Sequence, residues 1–289
     1  MSFGQKLSQE FYNQSYKLPF KEVPLFNALK VAFDELSKTS GFQGAIDLIH
    51  GSKGQVRFIQ QSPYITTLAP GTPVQKELFD MLFLVYSNNK KKIRLMYLQN
   101  KRGRTECDFY GDLLQLDLLA NQREIISVPL PYCTFGDPHI LKSQFMTVGS
   151  FGVFYKTTVN GASAYEMAFY PAIKVLPITT RGRNKSRTVW YDSQYFGKEE
   201  TYSNGSETLG TRNLEEFGDA LVSMKIGKPI ESKDPAYHSI AAFLSAHSSG
   251  FSRIADVPYN EQVTSHAAAF LGVSTVVMIN ADELASRDL

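Results

Sequence analysis

Two apolar segments separated by a short polar turn constrain the fold of this chain strongly. Residues 81–86 read MLFLVY and residues 93–98 read IRLMYL, with a polar, lysine-rich stretch over 87–92 between them. Continuous apolar runs of this length are typical of strands buried on both faces, and the short turn predicts that the two strands pair as a hairpin. We therefore expect a sheet whose middle is covered on both sides.

The segments around this hairpin predict a mixed α/β order. Apolar residues at spacings of three and four over 25–36 predict a helix that ends at Gly41, and residues 55–59 alternate as a short strand. After the hairpin, apolar spacing over 109–120 predicts a second helix, and residues 151–155 read as a further strand. The expected order up to Tyr155 is helix, three strands, helix, strand.

The second half of the chain has less regular patterns. Residues 165–176 predict one or two strands, and residues 214–224 and 261–271 predict short helices. A last strand is expected over 273–279, and the polar stretch 181–213 reads as a long loop.

These patterns predict two parts. A core is expected over residues 1–157, followed by an α+β extension over 158–289 that holds the long loop. One continuous domain is the alternative.

The composition excludes several classes of protein. A hydrophobic fraction of 43% with 20% charged residues is ordinary for a globular chain and argues against wholesale disorder. Cys107 and Cys133 are too few for a disulfide framework, and no HExxH, GxGxxG or GxxxxGK[ST] motif is present. Neither a signal peptide nor an apolar run of about 18 residues is found. We therefore expect a cytoplasmic protein that does not associate with membranes.

Polar residues at the open end of the hairpin form the most specific candidate site. Asp80 directly precedes the first strand, and Gln99 and Lys101 end the second. Side chains alternate along a strand, so Gln99 and Lys101 share a face, and the hairpin brings Asp80 beside them. Glu77 is a further candidate ligand. Gln115 in the following helix could face the site, but an exposed position is the favoured expectation. The alternative is that these groups only solvate a strand end and cap a turn.

The spacing of these residues and the order of elements resemble the PD-(D/E)xK nuclease superfamily. In that family an Asp and an (Asp/Glu)-x-Lys pair lie on adjoining strands of a restriction-endonuclease-like core, a central mixed sheet flanked by helices. The resemblance covers about residues 25–155 and implies that Asp80 is the first acid, Gln99 replaces the second and Lys101 is the lysine. Gln99 departs from the family pattern, because a neutral amide oxygen is a weaker ligand for a hard cation than a carboxylate.

The resemblance implies a metal-dependent DNA endonuclease that hydrolyses phosphodiester bonds, of the restriction or anti-phage defence type. It implies Mg²⁺ as the cofactor, with Mn²⁺ as a substitute, and Asp80, Gln99 and Glu77 as its ligands. Together with Lys101, which would position or activate the attacking water, these residues form the expected catalytic set. The expected partner is double-stranded DNA, joined by a second copy of the chain or by subunits of a defence complex.

Two other functions remain open from the sequence. Gln99 favours a catalytically degenerate module that keeps the nuclease fold and binds nucleic acid or serves as a subunit of a defence complex. A protein-interaction or structural role without nucleic acid is the other alternative.

The net charge of +2 conceals two concentrated basic segments. Residues 90–104 contain seven cations and no anion, and residues 181–187 contain four cations. Without these eleven, 19 basic residues stand against 28 acidic ones, and this asymmetry favours a polyanionic partner. The residues expected to contact nucleic acid are Arg102, Arg104, Arg181, Arg183, Lys185 and Arg187. For residues 90–92 a solvated tip is the alternative, and for 181–187 the alternative is docking of a partner protein.

Overall fold

The computed structural model shows a mixed α/β fold with a large mixed sheet flanked by helices. It describes residues 1–40, 55–62, 68–127, 134–159, 161–178, 186–248 and 275–285. The helices of these ranges are α1 (Phe3–Ser15), α2 (Glu22–Ser40), α3 (Leu113–Ala120), α4 (Leu214–Val222), α5 (Tyr237–His247) and α6 (Ala281–Ala285).

The strands belong to three sheets. The large sheet contains β3 (Met81–Ser87), β4 (Lys92–Thr105), β5 (Asp108–Asp112), β7 (Gly149–Val159), β8 (Ala162–Pro171), β9 (Val175–Pro177), β10 (Ser186–Tyr191), β13 (Lys228–Ile230) and β14 (Thr275–Asn280). A second sheet contains β1 (Gln55–Ile59), β2 (Pro73–Glu77) and β6 (Ile125–Ser127), and a third contains β11 (Glu199–Tyr202) and β12 (Gly205–Thr208).

The large sheet is organised around β4, which has 14 residues and pairs with four other strands. β3 runs antiparallel to it from Met81 opposite Leu98 to Ser87 opposite Lys92. β7 pairs with it in parallel, β13 and β5 pair with it antiparallel, and β14 adds to β3 in parallel. Beyond these, β8 pairs with β7, and β10 and then β9 extend the sheet from β5.

The predicted hairpin is confirmed, and its continuous apolar sequence has a simple cause. All seven residues of β3 are buried. Alternate side chains of β3 and β4 enter two separate cores: Leu84 and Tyr97 pack with α3 and α5, whereas Phe83 and Met96 pack with α1, α2 and α4. Because both faces of the hairpin are covered, an alternation of apolar and polar residues would leave polar groups in a core.

Several elements differ from the sequence-based expectations. Phe109 lies in β5, not in a helix, because its ring packs on Phe151 at 4.8 Å between ring centroids. The helix begins only at Leu113, where the Asp112 side chain accepts hydrogen bonds from the first backbone N–H groups. The expected loop 181–213 contains β10, β11 and β12 within its described residues.

Three described helices, α1, α5 and α6, were not predicted, and one predicted helix lies outside the described residues. α1 buries Phe3, Leu7 and Phe11 at spacings of four, in an otherwise polar segment, and α5 covers the same core as α3. The helix expected over 261–271 falls outside the described ranges.

The large sheet contains strands from both sides of residue 157. That position lies within β7, whose partner β8 follows it in the chain, and β14 pairs with β3 from the far end of the sequence. Among the described helices, none has the length and apolar character that crossing a membrane requires.

Candidate functional site

The structure brings Asp80 and Gln99 into direct contact at the end of the hairpin that lies away from the turn. The backbone N–H of Asp80 donates to the carbonyl of Leu98 at 3.0 Å, so the ladder of the hairpin continues one residue past β3. Oδ2 of Asp80 accepts two hydrogen bonds, one from Nε2 of Gln99 at 2.7 Å and one from the backbone N–H of Asn100 at 2.6 Å. The side chain of Gln99 and the backbone of Asn100, which are consecutive residues of β4, therefore orient the carboxylate.

The pKa of Asp80 is raised, because its carboxyl group is desolvated and lies near other carboxylates. Burial, together with the nearby carboxylates of Glu77 and Glu22, raises the pKa of Asp80 to about 7. The ammonium of Lys101 and the N–H of Asn100 oppose this rise in pKa. Burial also raises the pKa of Glu77, again against the charge of Lys101. The carboxyl groups of Asp80, Glu77 and Glu22 thus all interact with the ammonium of Lys101.

Lys101 is held at this cluster by an acid that the sequence reasoning missed. Its Nζ lies 3.7 Å from Oε1 of Glu22, and only 13% of its side chain is exposed. Glu22 is the first residue of α2. An acidic residue in the first turn of a helix, near Pro24, already has a local explanation as a helix-start signal, so nothing in the sequence pattern linked Glu22 to Lys101.

Gln99 and Asn100 point to opposite faces of β4, as alternation predicts. Gln99 is 2% exposed, and its Oε1 has no hydrogen-bond partner among the described residues. Asn100 is fully buried on the other face, where a Cβ on Gly152 would lie 2.9 Å from its Oδ1. A buried amide oxygen without a hydrogen-bond partner costs free energy of folding. The Oε1 of Gln99 is therefore available to accept a hydrogen bond or to bind a cation at this site.

Gln115 is buried, which corrects the expectation that it is exposed. Its Nε2 donates to the backbone carbonyl of Glu77 at 3.4 Å. The same helix is tied to β2 at its N-terminal cap, where Asp112 forms an ion pair with Lys76. α3 therefore helps to position the chain segment that leads into Asp80, through contacts between residues far apart in sequence.

The predicted nucleic-acid contacts are distributed unevenly. Arg102 is exposed beside the site, whereas Arg104 is 72% exposed but forms an ion pair with Asp108 at 2.7 Å. Arg187 lies in β10 with its backbone opposite Gly111, and its side chain is outside the described residues. Arg181, Arg183 and Lys185 also fall outside the described residues.

The atoms of Asp80, Gln99 and Glu77 that could bind a metal ion are all oxygens. In the described part of the chain, no three or more His, Cys, Asp or Glu side chains are grouped closely enough to hold a metal ion by themselves. Mg²⁺ usually takes only one or two carboxylates from the protein and keeps several waters or substrate oxygens. The carboxylate of Asp80, the free Oε1 of Gln99 and the nearby Glu77 fit that smaller requirement.

Comparison with protein-family models, curated proteins and solved structures finds no match to this chain. Its functional assignment therefore depends on the geometry of the site.

Proposed function

We propose that this protein is a metal-dependent endonuclease that hydrolyses phosphodiester bonds in DNA. The observation that carries the proposal is the convergence of Asp80, Gln99 and Lys101 at the end of one buried hairpin, where the Oε1 of Gln99 has no hydrogen-bond partner among the described residues. The order α2, β3, β4, α3, β7, with β7 parallel to β4, supports a restriction-endonuclease-like core.

Asp80, Gln99 and Glu77 are the proposed ligands of Mg²⁺ or Mn²⁺. The carboxyl groups of Asp80 and Glu77 have raised pKa values, so a divalent cation would stabilise their ionised form, and the free Oε1 of Gln99 would gain a partner. When bound, the metal polarises the scissile phosphate and lowers the pKa of the attacking water.

Lys101 is proposed to supply positive charge where the pentacovalent transition state gains negative charge. Its ammonium is anchored by Glu22, and its backbone lies within a strand that is paired on both edges near this point. A charge held in place before the reaction stabilises the transition state without a cost of reorganisation. The same ammonium can donate a hydrogen bond to the attacking water.

The decisive experiment compares cleavage by the unmodified protein, Lys101→Met and Asp80→Asn. Each is incubated with supercoiled plasmid, single-stranded DNA and RNA, in Mg²⁺, in Mn²⁺ and in EDTA. We expect metal-dependent cleavage of DNA by the unmodified protein and a loss of about 10²- to 10³-fold in each variant. Lys92→Met removes the same charge at the exposed opposite end of β4 and should cut normally.

Absence of cleavage by the unmodified protein, or equal cleavage by Lys101→Met, contradicts the proposal. Circular dichroism of the variants separates a lost reaction from a lost fold. Double-strand cutting would further suggest a symmetric dimer, since two antiparallel strands present two related sites. A restriction or anti-phage role, in a dimer or a defence complex, is the biological setting that we propose for this activity.

A second candidate is a degenerate nuclease module that binds nucleic acid without cleaving it. The hydrogen bond from Gln99 to Asp80 favours it, because the amide satisfies the acid without a cation. Salt-dependent DNA binding without cleavage, unchanged by Asp80→Asn, would support this candidate over the enzyme.

A further inference from the structure

A basic and aromatic surface, here called the Phe20 patch, lies next to the candidate site. It consists of Phe20, Arg102, Lys156 and Tyr165. The ring of Phe20 stacks on Tyr165 with 5.5 Å between centroids, and it has the guanidinium of Arg102 at 5.6 Å and the ammonium of Lys156 at 5.3 Å. The hydroxyl of Tyr165 donates to the carbonyl of Leu18 at 2.7 Å, and Nη1 of Arg102 donates to the carbonyl of Phe20 at 3.2 Å. The segment between α1 and α2 is thereby fastened to the sheet.

The register of the sheet places both cations of the patch on one face. Arg102 on β4 lies opposite Phe154 on β7, and Lys156 is two residues beyond Phe154. Tyr165 on β8 is the antiparallel partner of Lys156. The grouping is thus set by three strands and one loop, and it does not depend on the rotamer of a single long side chain.

The two cations of the Phe20 patch lack acidic partners. Lys101 has Glu22 and Arg104 has Asp108, whereas no carboxylate in the described ranges lies within 4 Å of Arg102 or Lys156. Both side chains are exposed. The aromatic ring attracts each cation, but the two like charges repel each other, and an anion between them would offset that repulsion.

The Phe20 patch also adjoins the candidate site directly. Arg102 follows Lys101 in β4, and Phe20 precedes Glu22, the partner of Lys101, by two residues. Two residues span at most about 7 Å between Cα atoms. Alternation directs Lys101 and Arg102 to opposite faces of β4, but both side chains reach the segment 20–22, Arg102 at Phe20 and Lys101 at Glu22, so a polyanion engaged at Lys101 can extend to the Phe20 patch around the end of the hairpin.

We propose that the Phe20 patch binds a backbone phosphate of the nucleic-acid strand, next to the phosphate that is cleaved. This inference rests on the proposed nuclease function and names the residues that align its substrate. Arg102 uses one of its five N–H donors on Phe20, and the remaining donors suit a phosphate. Phe20 and Tyr165 hold the two cations in place, which reduces the entropy lost when the strand binds.

Binding is tested with the full chain in EDTA, where the nuclease is inactive, by fluorescence anisotropy with labelled duplex and single-stranded DNA. Arg102→Gln/Lys156→Gln is compared with Lys90→Gln/Lys92→Gln, which removes the same charge from exposed positions at the turn. If both cations contact phosphates, the slope of log affinity against log salt falls by about 1.8 for duplex or about 1.4 for single strands. The control should keep the slope of the unmodified protein.

Equal slopes in the double variant and the unmodified protein overturn the inference, as does an equal loss in the control or an absence of salt-dependent binding altogether. Arg102→Lys, which keeps the charge, should retain the slope, and Phe20→Leu should weaken binding with both cations still present. Thermal unfolding of each variant checks that the fold is intact. If the patch variant loses affinity as expected but the unmodified protein never cleaves, the nuclease proposal fails, and the Phe20 patch remains a phosphate-binding surface without a cleaved phosphate beside it.

Discussion

At the scale of single residues, Gln99 determines how charge is balanced at the candidate site. Its Nε2 donates to Asp80, and its Oε1 has no partner within the described ranges. An acid at this position would place two carboxylates at hydrogen-bonding distance in a buried setting, together with Glu77 and Glu22. A neutral amide therefore stabilises the site when no cation is bound, and it also weakens the site as a ligand set.

Gln99→Glu tests this balance. In EDTA at pH 8 we expect a loss of about 1–3 kcal/mol in the free energy of unfolding, because a hydrogen bond becomes a contact between like charges. Added Mn²⁺ should raise the melting temperature more than in the unmodified protein, since the variant offers a second carboxylate. The measurement is thermal unfolding during a Mn²⁺ titration. Gln75→Glu, exposed on β2, adds the same charge elsewhere; an identical Mn²⁺ response in all three proteins would refute the ligand role of Gln99.

The contact of Asp80 with Gln99 was predictable, but the contact of Glu22 with Lys101 and the burial of Gln115 were not. Alternation along β4 and the pairing of a hairpin place Asp80 and Gln99 together by local geometry alone. Glu22 reaches Lys101, and Gln115 reaches the backbone of Glu77, only because α2 and α3 pack against the sheet. No local pattern encodes where a helix docks.

At the scale of elements, the junction between β8 and α4 holds a half-buried acid, Glu166, without a counter-charge among the described residues. Glu166 on β8 accepts a hydrogen bond from the backbone N–H of Leu214, the first residue of α4, at 3.5 Å. Burial, with a smaller contribution from Glu215 and Glu216, raises the pKa of Glu166 from an ordinary value of 4.5 to about 7. No ion pair to Glu166 is found in the described part of the chain.

The pH dependence of stability follows from this pKa. The folded protein keeps a proton on Glu166 up to about pH 7, while the unfolded chain loses it near pH 4.5. Because the folded-state pKa is raised, the ionised group destabilises the fold progressively between these pH values and fully above them. Glu166→Gln should therefore stabilise the protein by on the order of 2 kcal/mol at pH 8 and by almost nothing at pH 4.

Urea unfolding of Glu166→Gln at both pH values measures the effect. Glu124→Gln, at an exposed position, should change stability little at either pH. A stabilisation of Glu166→Gln that is equal at pH 4 and pH 8 would show that the titration of this carboxyl is not its cause.

The hairpin, α2, α4 and β7 were predictable as elements, because each has an apolar period that matches its structure. Phe109 was assigned to a helix because its spacing from Leu113 and Leu116 is helical by coincidence; the cap at Asp112 and the stacking on Phe151 place it in β5. β11 and β12, in the polar stretch 181–213, were not predicted from the sequence because they pair with each other in a separate two-stranded sheet. Their side chains are mostly exposed or half-buried, so no apolar signal is required.

At the scale of the whole molecule, the two ends of the chain share one sheet. β14 pairs in parallel with β3 over six residues, and β8 pairs with β7 over ten. Apolar side chains from β14 and α4 enter the same core as α1 and α2. The candidate site at the end of β3 is thus supported by strands that follow it by more than eighty residues in the chain.

A fragment that ends at residue 157 is expected not to fold on its own. It would lack β14 and β8, and the exposed edge of β3 and the uncovered apolar face would favour aggregation. Near-ultraviolet circular dichroism and urea unfolding of the fragment, compared with the complete chain, measure this. Cooperative unfolding of the soluble fragment would show instead that residues 1–157 form an independent domain.

The sequence by itself determined the buried hairpin, the mixed α/β class and the placement of Asp80 beside Gln99, because these depend on residue periodicity and local pairing. Only the tertiary structure decided that Glu22 meets Lys101, that Gln115 is buried and that Phe20 gathers Arg102 and Lys156. These contacts join residues that are tens of positions apart, and they exist because helices and strands bury apolar surface against one another. Packing of that kind depends on the complementary shapes of elements from the whole molecule. A local pattern of residues does not specify which distant elements will pack together.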